Sequence, residues 1–248
     1  MRAKLWPLLL LLSSTLCAQT EPQPRSLIPT LNPSRVPNPR ETVSTRELLV
    51  PPKALKELQR SQSALFSGDV RSSALHLEKA LHLYPGYLEA HNKLGARYFD
   101  LQEYEKAAVE FQKAINIDPR MSQPYNNLSV ALFLLRRYPD AEIAARRALD
   151  LDPQNSTARY MLGCVLVTEK RSPSEAIEML RQTEGEFPDA RLLLAQVLLR
   201  QGAANEAKKE LRNYLNVPGV EKKQRVECWL ARLEQTSATT GCVQANTR

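Results

Sequence analysis

The segments HNKLGARYFDLQEYEKAAVEFQKAINIDP (residues 91–119) and YNNLSVALFLLRRYPDAEIAARRALDLDP (residues 125–153) resemble each other along their whole length. Their equivalent residues lie 34 positions apart: Leu94 and Leu128, Tyr104 and Tyr138, Ala107 and Ala141, Ala114 and Ala148, Pro119 and Pro153. So many coincidences at one offset indicate an internal repeat. A period of this length predicts a stack of similar small units rather than a single globule.

Each repeat unit predicts two helices that pack as a hairpin. Apolar residues recur at helical spacing over Leu88–Leu101 and over Tyr104–Ile117, and a short polar turn joins the two stretches. Ala107 and Ala114 let the helices approach closely. Pro119 cannot continue the second helix and bars the residue before it from helical geometry. Because one hairpin cannot bury its own apolar face, consecutive hairpins are expected to stack.

This pattern resembles the tetratricopeptide repeat, in which W-x2-L-G-x2-Y is followed by A-x3-F, an alanine and a proline. The best copy supplies Leu94, Gly95, Tyr98, Ala107, Phe111, Ala114 and Pro119, with His91 in the tryptophan position. The next copy supplies Tyr125, Leu128, Leu132, Ala141, Ala145, Ala148 and Pro153, with Ser129 in the glycine position. The resemblance implies an all-α fold, an α-solenoid of about five helix hairpins plus a C-terminal capping helix, wound as a right-handed superhelix.

The predicted units span residues 53–87, 88–121, 122–155, 156–188 and 189–217, and a capping helix at 219–235 completes one domain from 53 to 235. The fourth unit holds one extra residue near Lys170–Pro173. The capping helix is predicted from Val226, Trp229, Leu230 and Leu233, which recur at helical spacing among charged residues. Residues 236–248 are polar and are predicted to be a disordered tail.

Residues 1–18 have the order of parts found in a secretory signal peptide. A basic pair precedes an apolar run at residues 5–12, and mostly small residues follow up to Ala18. The run is shorter than the roughly 20 residues needed to cross a bilayer. We therefore expect cleavage after Ala18 and export of a bacterial protein that is periplasmic or secreted. Leu16 is too bulky for the usual lipidation motif at Cys17, so no lipoprotein anchor is expected.

Residues 19–52 are rich in proline and lack the apolar periodicity of a packed helix. Proline cannot continue a helix interior or a central strand, so this segment is predicted to be an extended linker. The short stretch RELLV at residues 46–50 could dock on the folded part.

The first helix of each hairpin explains the apolar run at residues 131–135. This inner helix contacts its own partner and the next unit, and the resemblance implies that its third face lines a groove. A protein or peptide partner is expected in that groove. The predicted groove residues are Asn92, Phe99, Asn126, Val130, Phe133, Leu134, Tyr160, Val167, Leu192 and Leu199. The alternative is that closure of the superhelix or the linker covers these side chains and leaves them ordinary core.

One variant of the family binds a C-terminal carboxylate through lysines, arginines and asparagines on its inner helices. The corresponding positions of this chain hold Asn92, Ala96, Asn127, Thr157 and Met161. The cations are missing, so that activity is not expected here. A bound peptide would instead use apolar anchors, with Asn92 and Asn126 hydrogen-bonding its backbone.

The formal net charge is +7, and the excess of basic residues lies towards the C-terminus. The predicted basic face consists of Lys208, Lys209, Arg212, Lys222, Lys223 and Arg225. An alternative function follows from it: an envelope structural or assembly component that contacts an anionic surface or an acidic partner. Nucleic-acid binding is not expected, because no aromatic residues are interleaved with these cations.

The sequence offers no motif for catalysis or metal binding. It contains no glycine-rich phosphate loop, no G-x-S-x-G, no H-E-x-x-H and no C-x-x-C. Asp118 and Asp152 recur with the repeat as helix-ending Asp-Pro and are therefore structural. We expect a protein that is not an enzyme, with no cofactor and no metal. The oligomeric state and any pairing of Cys164, Cys228 and Cys242 stay open.

Overall fold

The computed structural model describes the backbone of residues 50–245 and the side chains of residues 50–235. The predicted signal peptide at 1–18 and the proline-rich segment at 19–49 lie outside the described residues. The described part is all helical. Its eleven helices are α1 Pro52–Phe66, α2 Val70–Leu83, α3 Leu88–Asp100, α4 Tyr104–Ile117, α5 Ser122–Leu134, α6 Tyr138–Leu151, α7 Ser156–Thr168, α8 Pro173–Arg181, α9 Ala190–Arg200, α10 Ala204–Leu215 and α11 Lys223–Ala245.

The helices fall into two compact bodies, whose boundary lies inside α7. The N-terminal body holds the described residues up to Val165, and the C-terminal body begins at Leu166. In the N-terminal body, each odd-numbered helix from α1 to α5 packs on the next even-numbered helix to form a hairpin. α2 also packs on α3, α4 packs on α5, and α3 contacts α5 directly. α3 and α5 are therefore the inner helices, and α2, α4 and α6 are the outer ones.

The predicted alanines allow this close packing. Ala107, Ala114, Ala141 and Ala148 are completely buried between the helices of their hairpins. The core of the first hairpin extends to α3 through Ala90 and Leu94, and Val50 contributes a buried side chain to it. α1 begins at Pro52, so the end of the predicted linker belongs to the folded part.

Each hairpin turn needs one residue in the left-handed backbone region. Gly68, Gln102, Arg136 and Lys170 have φ angles of 79°, 63°, 59° and 56°, and they lie at equal spacing in the repeat. The turn after α7 holds a second left-handed residue, Ser172, with φ 42°. This second residue accommodates the extra position that the sequence indicates in the fourth unit.

In the C-terminal body, α8 packs on α9, α9 packs on α10, and α10 packs on α11. Val226 of α11 is buried in the core that the last hairpin forms, and Trp229, Leu230 and Leu233 pack on that core. α11 is thus the capping helix, but its predicted ends are wrong. It begins at Lys223 and continues to Ala245, so most of the predicted tail is helical. None of the helices among the described residues is both long and apolar enough to cross a membrane.

Candidate functional site

The predicted groove residues of the N-terminal body differ widely in exposure. Val130, Phe133 and Tyr160 are at most 2% exposed. Asn92, Phe99 and Leu134 are half-buried and present part of their surface. In the structure as described, a partner would meet the second group first, and contact with the buried group would require a rearrangement. Binding at any of these residues stays a prediction.

Three predicted groove residues lie in the C-terminal body. Val167 and Leu192 are buried, and Leu199 is half-buried. The carbonyl of Val167 accepts a hydrogen bond of 2.9 Å from Nη1 of Arg200 on α9. This bond ties the end of α7 to the inner helix of the last hairpin.

Two aromatic pairs recur with the repeat at the turns between inner and outer helices. The ring centroids of Phe99 and Tyr104 are 5.3 Å apart, and those of Phe133 and Tyr138 are also 5.3 Å apart. Both pairs are tilted or edge-to-face, which is the favourable arrangement for aromatic rings. The predicted groove aromatics therefore also pack against the first residue of their own outer helix.

An amide pair links the two inner helices α3 and α5. Nδ2 of Asn127 donates a hydrogen bond of 3.0 Å to Oδ1 of Asn92. Sequence reasoning placed both residues on the inner helices but did not predict their contact, because the contact depends on the stacking of one unit on the next. The bond leaves Asn92 less free to bind a partner's backbone than the sequence indicated.

The equivalent pair is missing one unit later. Asn126 occupies the repeat position of Asn92, and the position of the donor Asn127 is taken by Met161. A methionine side chain has no N–H to donate. Accordingly, Oδ1 of Asn126 is buried without a hydrogen-bond partner among the described residues. Buried acceptors of this kind are rare in native proteins and call for an explanation such as a ligand or a water molecule.

A buried charge lies beside Asp100, the residue that follows the predicted groove residue Phe99. Arg97 on α3 is 4% exposed, and its Nε lies 3.1 Å from Oδ2 of Asp100. Burial lowers the pKa of Arg97, and the Asp100 charge opposes that shift. Burial likewise raises the pKa of Asp100, against the opposing effect of Arg97. The two opposite charges offset each other at the end of α3.

The repeat position that tryptophan occupies in the family pattern holds Glu57 in the first unit and His91 in the second. Each of these side chains contacts the outer helix of its own hairpin. Nδ1 of His91 lies 2.6 Å from Oε2 of Glu110, and its Nε2 lies 2.9 Å from the carbonyl of Pro85. The ring is therefore held from both sides, by a carboxylate of its own hairpin and by a backbone carbonyl. One unit earlier the pair is reversed, with Glu57 2.7 Å from His76. These contacts hold hairpins together and are structural.

The C-terminal body repeats the arrangement with an arginine. Nη1 of Arg191 donates a hydrogen bond of 3.1 Å to Glu210, which lies 19 residues further along the chain. The two histidine–glutamate pairs have the same separation of 19 residues. Sequence reasoning missed these pairs, although opposite charges at this recurring separation would have been the signal for them.

The predicted basic face is smaller than the sequence indicated. Lys208 is buried, and Nζ of the poorly exposed Lys222 lies 2.5 Å from Asp189. Arg212 is exposed but lies 2.6 Å from Glu234. The remaining members are Lys209, Lys223 and Arg225, and all three are exposed. Contact of this face with an anionic surface stays a prediction.

Among the described residues, no group of three or more His, Cys, Asp or Glu side chains is arranged to hold a metal ion. Among the described residues, neither Cys164, which is buried, nor Cys228, which is exposed, forms a disulfide.

Two family models match the chain. One described as a TPR repeat matches residues 95–135, and one described as anaphase-promoting complex, cyclosome, subunit 3 matches residues 135–214. No curated protein sequence matches the chain.

Several solved structures share its fold. PilF of Pseudomonas aeruginosa is 22% identical, with a TM-score of 0.63 over 77% of this chain and 88% of that chain. MamA from Desulfovibrio magneticus RS-1 is 17% identical, with a TM-score of 0.61 over 67% of this chain and 95% of that chain. YrrB, a TPR protein with an unusual peptide-binding site, is 18% identical, with a TM-score of 0.59 over 68% of this chain and 89% of that chain. At these identities the likeness concerns the fold alone.

Proposed function

Because the chain is a tetratricopeptide-repeat protein, we propose that it is a non-catalytic scaffold that binds a peptide or helix of a partner protein along its inner helices. One protein of the same fold, YrrB, has a peptide-binding site, and this supports the proposal. The stacked hairpins also fit a binding role, since repeat proteins present extended surfaces.

The observation that carries the proposal is the buried acceptor on Asn126. Leaving such a group unpaired costs about 1–3 kcal/mol. Because the oxygen is itself buried, a backbone N–H from a bound segment would remove that cost once neighbouring side chains move aside. Phe99 and Leu134 are half-buried apolar residues on α3 and α5, the inner helices of the same body. They supply apolar contacts, while Asn126 supplies the polar contact that fixes the position of an extended or helical segment.

Photo-crosslinking tests the site in the organism that makes the protein. The full chain carries the photoreactive residue at Leu134, and a matched variant carries it at Asn116, an exposed position on the outer helix α4. We expect one discrete partner protein to be captured from Leu134 and not from Asn116. Adding Asn126→Leu should reduce the capture. Equal capture from both positions, or capture that is insensitive to Asn126→Leu, would reject the inner helices as the site.

We further propose that the scaffold acts outside the cytoplasm. The order of basic, apolar and small residues at 1–18 supports export. The N-terminus of the mature protein provides the test, because cleavage after Ala18 leaves Gln19 as the first residue. A mature chain that retains Met1 in the cytoplasmic fraction would contradict this location.

The second candidate function is contact with an anionic surface or an acidic partner through the C-terminal body. It is favoured by the exposure of Lys209, Lys223 and Arg225. Binding to vesicles that contain phosphatidylglycerol should then weaken with salt and with the double change Lys223→Glu, Arg225→Glu. Retention of binding by this variant would exclude the basic face.

A further inference from the structure

The outer helices of the N-terminal body carry a row of exposed apolar residues. Leu75 on α2, Val109 on α4 and Ile143 on α6 occupy the same repeat position, each 34 residues from the next. Their side chains are 49%, 53% and 69% exposed. Single exposed apolar residues are common and need no explanation. Because the hairpins stack with one repeat, three residues at one repeat position lie on the same side of successive outer helices, and we call them the apolar row.

A row of cations runs beside the apolar row. Lys79, Lys113 and Arg147 each follow a member of the apolar row by four residues. Residues four apart lie on the same face of a helix. All three cations are exposed, and the sequence keeps a positive charge at this position in all three units. We call them the cation row.

The cation row is available for an outside partner. Nζ of Lys113 lies 2.7 Å from Glu110, and Nη1 of Arg147 lies 3.7 Å from Asp150. The Arg147–Asp150 pair is exposed on both sides, and such pairs contribute little, about 0–1 kcal/mol. Lys113 bonds to the buried Glu110, but its own side chain stays half exposed. The first outer helix also borders an open depression of about 440 Å³, whose lining includes Leu75, Lys79 and Leu83. Leu75 and Lys79, the first members of the two rows, therefore line a recess that is large enough for an apolar side chain.

We propose that the two rows bind an amphipathic helix that carries acidic residues beside its apolar stripe. A helix presents an apolar stripe and a charged stripe side by side, which matches two parallel rows. An extended strand points successive side chains to opposite faces and cannot present two adjacent stripes in this way. The surface lies on the outer helices and is separate from the proposed site on the inner helices.

Charge decides between this partner and two others. A second copy of the chain would have to bring its own cation row near this one, and like charges repel. An anionic membrane would attract the cation row, but the apolar row has no tryptophan or phenylalanine, which are typical of interfacial binding. Glu78 and Asp150 on the same outer helices would be repelled by such a membrane. An acidic helix, unlike a membrane, can place its carboxylates opposite the cation row and keep them away from Glu78 and Asp150.

Two synthetic helical peptides test the proposal with the purified full chain. One has a leucine stripe flanked by glutamates, and the other has the same stripe flanked by lysines. We expect the acidic peptide to bind, as measured by fluorescence anisotropy, and its binding to weaken as salt is raised. Failure of the acidic peptide to bind, or equal binding of both peptides, would overturn the proposal.

Single substitutions locate the surface. Val109→Gln or Ile143→Gln should weaken the acidic peptide about tenfold, because each removes an aliphatic contact. Both residues are exposed, so the fold should be kept, and a thermal scan checks this. Met121→Gln is the matched control, since Met121 is 44% exposed but lies outside both rows. Loss of binding in Met121→Gln, or unchanged binding in the row variants, would contradict the assignment.

The charge contribution and the rival partners are tested separately. The double change Lys79→Glu, Arg147→Glu should remove binding of the acidic peptide and permit binding of the basic one. Vesicle binding that is lost with the row variants would assign the rows to a membrane. Self-association that is lost with the same variants would assign them to a second copy. Either of these last two results overturns the proposal, whereas crosslinking at Leu134 reports on the inner helices independently.

Discussion

Gly95 and Phe111 are in such close contact that a single methyl group at Gly95 could not be added without moving the phenylalanine ring. A Cβ atom built on Gly95 would lie 2.6 Å from Cε1 of Phe111. Gly95 is on the inner helix α3, and Phe111, which is completely buried, is on the outer helix α4. This contact sets how closely the two helices of the second hairpin approach.

Gly95→Ala should therefore destabilise the protein. Alanine is favoured over glycine in a helix by about 1 kcal/mol, but overpacking a buried ring costs about 1–3 kcal/mol. We expect a net loss that lowers the midpoint of urea unfolding. Gly185→Ala is the control, because a Cβ atom at Gly185 meets nothing within 4 Å. A Gly95→Ala variant as stable as the parent would show that the ring can move freely.

Phe133→Ala and Phe99→Ala should differ in their effect on stability. Phe133 is 2% exposed and packs on Tyr138, so its removal should cost about 3–5 kcal/mol. Phe99 is only half-buried, so Phe99→Ala should cost clearly less. Chemical denaturation of both variants measures the difference. If Phe133→Ala left stability unchanged and abolished partner capture, Phe133 would be a groove residue after all.

Asn126→Leu should stabilise the protein by about 1 kcal/mol while weakening partner binding. The substitution removes a buried acceptor that has no partner among the described residues. Asn92→Leu is the matched comparison at the same repeat position, and it should destabilise, since it deprives Asn127 of its acceptor. Thermal unfolding of the two variants gives the comparison. A destabilised Asn126→Leu variant would indicate that a water molecule already satisfies the acceptor.

Acid should remove the stabilising effect of Glu110. Burial alone would raise the pKa of Glu110, but hydrogen bonds from His91 and Lys113 outweigh it and leave the pKa below its ordinary value of 4.5. A carboxylate whose pKa is depressed by folding contributes stability above its unfolded pKa and loses it as the pH falls through its folded pKa. Glu110→Gln should therefore be less stable than the parent at pH 7, and the gap should close below about pH 4.5. A gap that does not shrink at all as the pH falls from 7 to the point of acid unfolding would mean that the charge of Glu110 is not involved.

The sequence predicted the hairpins well because their causes are local. The predicted helix at Tyr104–Ile117 is confirmed at both ends, and its partner, predicted at Leu88–Leu101, ends one residue early at Asp100. Pro119 limits the end of α4, and the turn after α3 limits the end of α3. Both act through local backbone geometry, which does not depend on contacts with other helices. The predicted end of α11 was too early. The residues after Gln235 are polar, but polarity alone does not end a helix.

The tertiary structure decided which side chains are reachable and which are paired. Asn92 bonds to Asn127, and His91 to Glu110, only because stacking and hairpin packing bring together residues that are distant in sequence. The burial of Phe133 and the exposure of Ile143 likewise depend on the neighbouring residues that several helices supply. By itself, the sequence determined that the chain is a stack of helical hairpins, because period, alanines and prolines act within each unit. The candidate surfaces were decided by packing, because exposure belongs to the assembled units and not to any one of them.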